Sequence, residues 1–92
     1  VSRGNFSYFC GKHKTMPVIH LINSIKILIY FDDHLPPHFH VIYNEYEELI
    51  EINTLDTYRG SLPRRVRKRV IEWASGNQDF LIEKWNEFNP NN

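Results

Sequence analysis

The sequence has one cysteine, no long apolar run and no repeated or low-complexity segment. Cys10 alone cannot form an intrachain disulfide, so disulfide bonds do not hold this fold together. No segment approaches the roughly 18 consecutive apolar residues that a membrane-spanning helix needs. The first residues also lack the apolar core and the small-residue cleavage site of a secretory signal peptide. These absences predict a cytoplasmic protein with no membrane association.

The length of 92 residues fits one small domain, and the pattern changes near its start. Residues 1–15 show no hydrophobic period, whereas a strongly apolar pattern begins at Met16-Pro17. We therefore interpret 1–15 as a disordered leader or upstream extension and 16–92 as a single α+β domain. A domain of this size has a small core and often gains stability from association. A protein partner or a homo-oligomer is thus expected.

The chain has no net charge, because its 11 basic and 11 acidic residues cancel. The two signs are nevertheless segregated along the sequence. Residues 32–56 contain seven acidic residues and no lysine or arginine, whereas 59–69 contain six basic residues and no acidic one. The neutral total therefore conceals one anionic and one cationic region.

Hydrophobic patterning in the first two thirds of the domain indicates β-structure. Runs of β-branched and aromatic residues predict strands at 18–22, 25–31, 38–43 and 46–52, with a short extended piece at 55–59. Asn23-Ser24 and Asn44-Glu45 supply the turns, since asparagine tolerates the left-handed backbone that such turns require. Pro36 and Pro37 predict a loop over 32–37, because proline has no N–H to donate to a sheet.

The last third of the sequence predicts two helices. Ser61 is a candidate N-cap for the first, with Pro63 in its first turn. Its buried stripe has the helical period and comprises Val66, Val70, Trp73 and Ala74. Gly76 ends this helix and Asn77 caps the next, whose buried stripe comprises Leu81, Trp85 and Phe88. The expected fold is α+β, an antiparallel sheet of about four strands with two C-terminal helices packed on one face.

Three of the five histidines lie in the segment Asp32-Asp33-His34-Leu35-Pro36-Pro37-His38-Phe39-His40. Histidine changes charge near neutral pH and is the commonest metal ligand. If Asn44-Glu45 is a two-residue turn, counting back along the hairpin places His38 opposite Glu51. His40 points to the same side as His38, so we expect the Glu51 carboxylate between the two rings on the solvent face of the sheet.

This grouping is compatible with three roles. His34, His38 and His40, with or without Glu51, can bind a divalent transition metal, because imidazole and carboxylate ligands suit zinc, nickel or iron. Alternatively, His38 or His40 can transfer a proton in catalysis while Glu51, or Asp32 or Asp33 from the preceding loop, orients the ring. The third interpretation is structural, with His38 and Glu51 forming an ordinary cross-strand pair.

The cationic region predicts a second functional surface. Its basic residues lie on the predicted first helix, on the side away from the buried stripe, and at the preceding turn: Arg59, Arg64, Arg65, Arg67, Lys68 and Arg69. Arginine offers forked donors to phosphate oxygens, so this surface fits a nucleic-acid backbone. A solvated helix, or one that pairs with an acidic hairpin or an acidic protein, explains the same composition.

These motifs resemble the bacterial family known as domain of unknown function 4160. The resemblance covers about Met16 to Phe88. It is carried by the start at Met16-Pro17, by the D-H-x-P-P-H-x-H element at 33–40, by Leu62-Pro63-Arg64-Arg65, and by Glu72-Trp73-Ala74. The proline-flanked histidine element is the most specific of these.

The resemblance implies a partner rather than a chemistry. Genes of this family often neighbour a small gene of the domain of unknown function 2442 family, and the pair looks like a type II toxin–antitoxin module. A toxin-like component that binds or cleaves RNA is therefore the leading hypothesis, with a ribonuclease activity of His38, His40 and Glu51. The alternatives are a non-catalytic antitoxin or regulator, and a small metal-dependent hydrolase.

Overall fold

The computed structural model describes residues 18–31 and 33–90, so the prediction of a leader at 1–15 lies outside the described residues. The described part contains an antiparallel sheet of five strands in the order β1-β2-β3-β4-β5. Their bounds are β1 Val18–Ile22, β2 Ile25–Leu28, β3 His38–Tyr43, β4 Tyr46–Glu51 and β5 Thr57–Ser61. The antiparallel sheet is confirmed, and the short extended piece expected at 55–59 is a full fifth strand two residues further on.

The predicted turns fix the register of the sheet. Asn23 and Asn44 both adopt left-handed backbone conformations, each with φ of 53°. The two-residue turn at Asn44 places Tyr43 opposite Tyr46 and His38 opposite Glu51, as the sequence predicted. Successive side chains of a strand point to opposite faces of the sheet, so one face of β3 carries His38 and His40 and the other carries Phe39 and Val41.

Two helices follow the sheet, α1 (Arg64–Ser75) and α2 (Gln78–Phe88). The predicted N-cap at Ser61 is wrong, because Ser61 is still paired with Glu47 in the sheet and Pro63 holds the N-cap position. Gly76 ends α1 as predicted. Asn77 holds the N-cap position of α2 without a capping bond, since its Nδ2 donates instead to the Trp73 carbonyl. No helix in the described ranges is long and apolar enough to cross a membrane.

The core lies between the helices and one face of the sheet. Its sheet side includes Ile25, Ile27, Phe39, Val41, Ile50 and Ile52, and its helix side includes Val70, Ala74, Leu81 and Trp85, all buried. The stripes predicted for both helices are thus confirmed. Since these strand residues alternate with the histidines, His38 and His40 lie on the opposite face of β3 from Phe39 and Val41.

Candidate metal centre

His38 and His40 open β3 and are inaccessible to solvent. His38 is fully buried and His40 is 7% exposed, so the expected solvent-facing position of the two rings is wrong. The segment after β2 folds over this part of the sheet, and the Tyr30 ring lies 4.1 Å from the His40 ring. The Trp85 ring of α2 contacts His38 at 5.3 Å between centroids. The histidine pair therefore occupies a pocket between the covering segment and the end of the sheet.

Both rings point one nitrogen at the same carboxylate oxygen. The Oδ2 atom of Asp33 lies 3.0 Å from His38 Nε2 and 3.1 Å from His40 Nε2. The His40 contact is a hydrogen bond, whereas His38 Nε2 is fully buried and is not aligned for one. One oxygen and two imidazole nitrogens thus converge on a common point.

The opposite ring nitrogens are held by acceptors. His38 Nδ1 donates to the Pro36 carbonyl oxygen at 2.7 Å, and His40 Nδ1 donates to Glu47 Oε2 at 3.2 Å. A carbonyl or an ionised carboxylate can only accept, so in both rings Nδ1 carries the hydrogen. In its neutral form each ring therefore presents the Nε2 lone pair to Asp33.

This arrangement favours a positive charge at the point of convergence, either a proton on Nε2 or a bound metal ion. A lone pair and a carboxylate oxygen repel one another at 3.0 Å unless a proton or a metal ion lies between them. Histidine ligands of metals characteristically donate their other nitrogen to a carbonyl or a carboxylate, as both rings do here. The buried, unaligned Nε2 of His38 is the atom that such an ion would satisfy.

The separations fit a first-row divalent ion. Ligand atoms bound at about 2.1 Å lie about 3.0 Å apart at a right angle and about 3.4 Å apart at the tetrahedral angle. The distances from Asp33 Oδ2 to His38 Nε2 and to His40 Nε2 are 3.0 and 3.1 Å, close to the value for a right angle. The three ligand atoms of Asp33, His38 and His40 all lie within 4.8 Å of one another. Two imidazoles with one carboxylate can hold zinc or iron(II).

Electrostatics keep the ligand oxygen charged. Burial raises the pKa of Asp33, but contacts with His38 and His40 and the backbone N–H of His34 outweigh it, so the pKa falls well below its ordinary value. The pKa of Glu47 is lowered chiefly by its hydrogen bond to His40. Burial lowers the pKa of His40, yet its bonds to the two carboxylates prevail and raise it. Asp33 and Glu47 are therefore kept in the charged form that binds a proton or a cation.

Asn89, at the C-terminal end of α2, fixes the segment that carries Asp33. Its Oδ1 accepts the backbone N–H of Asp33, and its Nδ2 donates to the carbonyls of Tyr30 and Trp85. Asn89 is buried, with 2% of its surface exposed. No sequence pattern indicates this role of Asn89, because its partners are up to 59 positions away.

Glu51 and His34 differ from their expected positions. Glu51 lies opposite His38, yet within the described residues its carboxylate bonds to neither ring, because Asp33 occupies that place. His34 lies at the rim, with 58% of its side chain exposed and Nε2 3.7 Å from Asp33 Oδ1. Its Nδ1 contacts the Leu35 carbonyl at 3.2 Å, so it is oriented like the two buried rings.

Comparison with known proteins identifies the family. Residues 24–86, more than half of the chain, match the family described as a domain of unknown function (DUF4160). The chain belongs to this family. Neither the curated proteins nor the solved structures contain a significant match. All four proposed ligands and anchors, Asp33, His38, His40 and Glu47, fall inside the matched range.

The cationic residues of this family member lie on two elements, β5 and α1. Arg59 is on β5, and the exposed basic residues of α1 are Arg64, Arg65, Lys68 and Arg69. Arg67 is not part of a free surface, because its Nε donates to the buried carboxylate of Glu48 at 2.9 Å. An open groove of about 720 Å³ follows α1 and is lined by residues that include Arg64, Arg65 and Lys68.

Proposed function

We propose that this protein binds a divalent transition-metal ion through Asp33, His38 and His40 and uses it in a hydrolytic reaction. One observation carries the proposal: two imidazoles present Nε2 to one carboxylate oxygen while their Nδ1 atoms are both anchored. The buried His38 Nε2 has no hydrogen bond within the described residues, and a metal ion shared with Asp33 and His40 would satisfy it.

The number of ligands favours catalysis over a structural role. Structural zinc sites have four protein ligands, whereas catalytic sites keep three and leave a position for water. The metal ion would supply Lewis acidity and lower the pKa of a bound water molecule. The chain's own residues have defined parts: Asp33 brings the negative charge, Pro36 and Glu47 orient the rings, and exposed His34 lies at the open side.

Metal titration of the full chain without a histidine tag tests the proposal. We expect one equivalent of Zn²⁺ or Co²⁺ to bind, with Co²⁺ giving visible absorption bands. Asp33→Asn, His38→Gln and His40→Gln should each abolish binding of one equivalent. His20→Gln is the matched control, because the His20 ring stacks on Trp73 at 4.4 Å on the helix side of the sheet.

Hydrolysis is then assayed with the zinc-loaded protein on activated ester and phosphodiester substrates. We expect turnover that chelation removes and added zinc restores, with the His20 variant unaffected. A folded protein that binds no metal at stoichiometric concentration contradicts the metal centre. A loaded protein that hydrolyses none of these substrates contradicts the catalytic role.

We further propose a setting for this activity, that of a toxin-like component whose basic surface meets RNA or an acidic antitoxin. The exposed basic face of α1 supports it, since Arg64, Arg65 and Lys68 form no ion pair in the described part of the chain. Expression should arrest growth, and replacing both His38 and His40 by alanine should relieve the arrest. Harmless expression of the unchanged protein would contradict this setting.

A further inference from the structure

A bulge in β5 turns two consecutive side chains toward the histidine face. Leu49 pairs with Arg59 but the next residue, Ile50, pairs with Thr57, so Tyr58 is the extra residue of the strand. Such a bulge re-aims side chains, and bulges are frequent beside active sites. Arg59 shares the face of Leu49, and Tyr58 also lies on that face because its ring meets the histidines.

Tyr58 forms an aromatic surface beside the metal centre. Its ring stacks on His38 with 5.7 Å between centroids and an interplanar angle of 28°, and it lies 5.7 Å from His34. Tyr58 is nevertheless 39% exposed. One side of the ring therefore supports the centre while the residue keeps area available for a ligand.

Arg59 supplies a cation on the same face. Leu49 lies opposite both Arg59 and His40 in the register, so two strand spacings, about 10 Å, separate the backbones of Arg59 and His40. Arg59 is exposed and forms no ion pair within the described residues. Its guanidinium is thus available to an anionic ligand that also reaches the metal centre.

We propose that Tyr58 and Arg59 form a subsite for single-stranded nucleic acid, with one base stacked on Tyr58 and its phosphate on Arg59. An aromatic side chain with a neighbouring cation is the general means of holding unpaired bases and their backbone. The face of a base in a duplex is covered by its neighbours, which favours a single strand. The inference rests on the proposed hydrolytic centre, where the adjoining phosphodiester would be placed.

The reaction implied is hydrolysis of that phosphodiester. The oxygen of one water molecule forms a bond to phosphorus while the bond from phosphorus to the leaving sugar oxygen breaks. One proton of the water passes to the departing oxygen, so the products are a phosphomonoester and an alcohol. No oxidant, reductant or further reactant is needed.

Binding of a fluorescent oligouridine octamer to the zinc-loaded full chain, followed by anisotropy, tests the subsite. Tyr58→Ala should weaken binding about 5-fold to 100-fold, the range for loss of one stacked base. Arg59→Gln should weaken it about tenfold and flatten the salt dependence, because one phosphate contact is lost. Tyr46→Ala is the matched aromatic control, as Tyr46 is 40% exposed against 39% for Tyr58. Lys84→Gln on α2 is the cationic control, because Lys84 belongs neither to the centre nor to the basic face of α1.

The outcomes separate the subsite from the metal centre. The inference is supported if only the Tyr58 and Arg59 variants lose affinity for the octamer. The unchanged protein should also bind a hairpin duplex of equal length more weakly than the octamer. Equal losses in the Lys84 or Tyr46 variants, or tighter binding of the duplex, would overturn it. A protein that binds zinc but no oligonucleotide refutes the subsite alone. A protein that binds the oligonucleotide through Tyr58 but takes up no zinc refutes the hydrolytic centre alone.

Discussion

Replacing Asn89 by alanine is expected to weaken the fold and the metal centre together. Asn89 joins the end of α2 to both sides of the segment that carries Asp33. Alanine removes the acceptor for the Asp33 N–H and the donor to the carbonyls of Tyr30 and Trp85. The Trp85 carbonyl keeps the backbone N–H of Asn89 as a partner, so two groups lose the bond that Asn89 gives them.

The magnitude follows from burial. A buried backbone group without a partner costs about 1–3 kcal/mol, and two such groups give about 2–6 kcal/mol. Asp33 is only partly buried, so water satisfies some of the loss and the lower half of this range, about 2–4 kcal/mol, is expected. For a domain of this length that loss lowers Tm by roughly 8–30 °C. Zinc affinity should fall about tenfold or more, as for other groups that orient a ligand.

Urea unfolding of the metal-free protein and zinc titration measure the two effects separately. Asn86→Ala is the control, because Asn86 is an exposed residue on the same helix. If the Asn89→Ala variant unfolds with a free energy within about 0.5 kcal/mol of the unchanged protein, the usual range for exposed sites, the argument is refuted. Normal zinc affinity in a destabilised Asn89 variant would show that Asn89 does not position Asp33.

Three further predictions concern other residues of the centre and of β5. Glu47→Gln should weaken zinc binding about 10-fold to 100-fold in a titration, whereas Glu45→Gln in the exposed turn should not change it. The raised pKa of His40 means that its contribution to metal-free stability is present in full below pH 6.5 and is lost as pH rises through the raised value. Urea unfolding across pH should show this loss, and His40→Gln should remove it. Gly60→Ala should destabilise the fold by more than about 1 kcal/mol, because Gly60 has φ of +83° and the added Cβ would meet the Glu47 carbonyl. Gly76→Ala is the control and should be nearly neutral, because the atom nearest to its added Cβ is 3.8 Å away. A stable Gly60 variant would contradict the observed register of β5.

The register of the central hairpin could be predicted from sequence because it depends on local rules. Asn44 supplies a left-handed turn position, and strands then pair residue by residue from that point. This placed His38 opposite Glu51 and separated the two faces correctly. The position of Asp33 could not be obtained in the same way, because its loop is fixed by Asn89, 56 positions later. The prediction consequently left the acidic partner open between Glu51 and an aspartate of the loop.

The length and position of β5 were predicted incorrectly for a related reason. Residues 57–61, Thr-Tyr-Arg-Gly-Ser, do not alternate between apolar and polar, and all five are exposed. The strand exists through its pairing with β4 and through the bulge at Tyr58, neither of which has a local sequence signal. Because the sheet continues to Ser61, the first helix also begins later than a cap at Ser61 would predict.

The two oppositely charged regions of the sequence take different parts in the fold. An acidic docking surface would need the carboxylates of 32–56 to be free, but three of the seven are engaged within the fold. Asp33 and Glu47 hold the histidines, and buried Glu48 accepts from Arg67 and Thr57. The basic residues show the opposite behaviour, since most of those between 59 and 69 are exposed. The acidic stretch thus supplies two carboxylates to the buried histidine cluster while the basic stretch is mostly exposed, a distribution that agrees with the proposed metal-dependent activity on an anionic ligand.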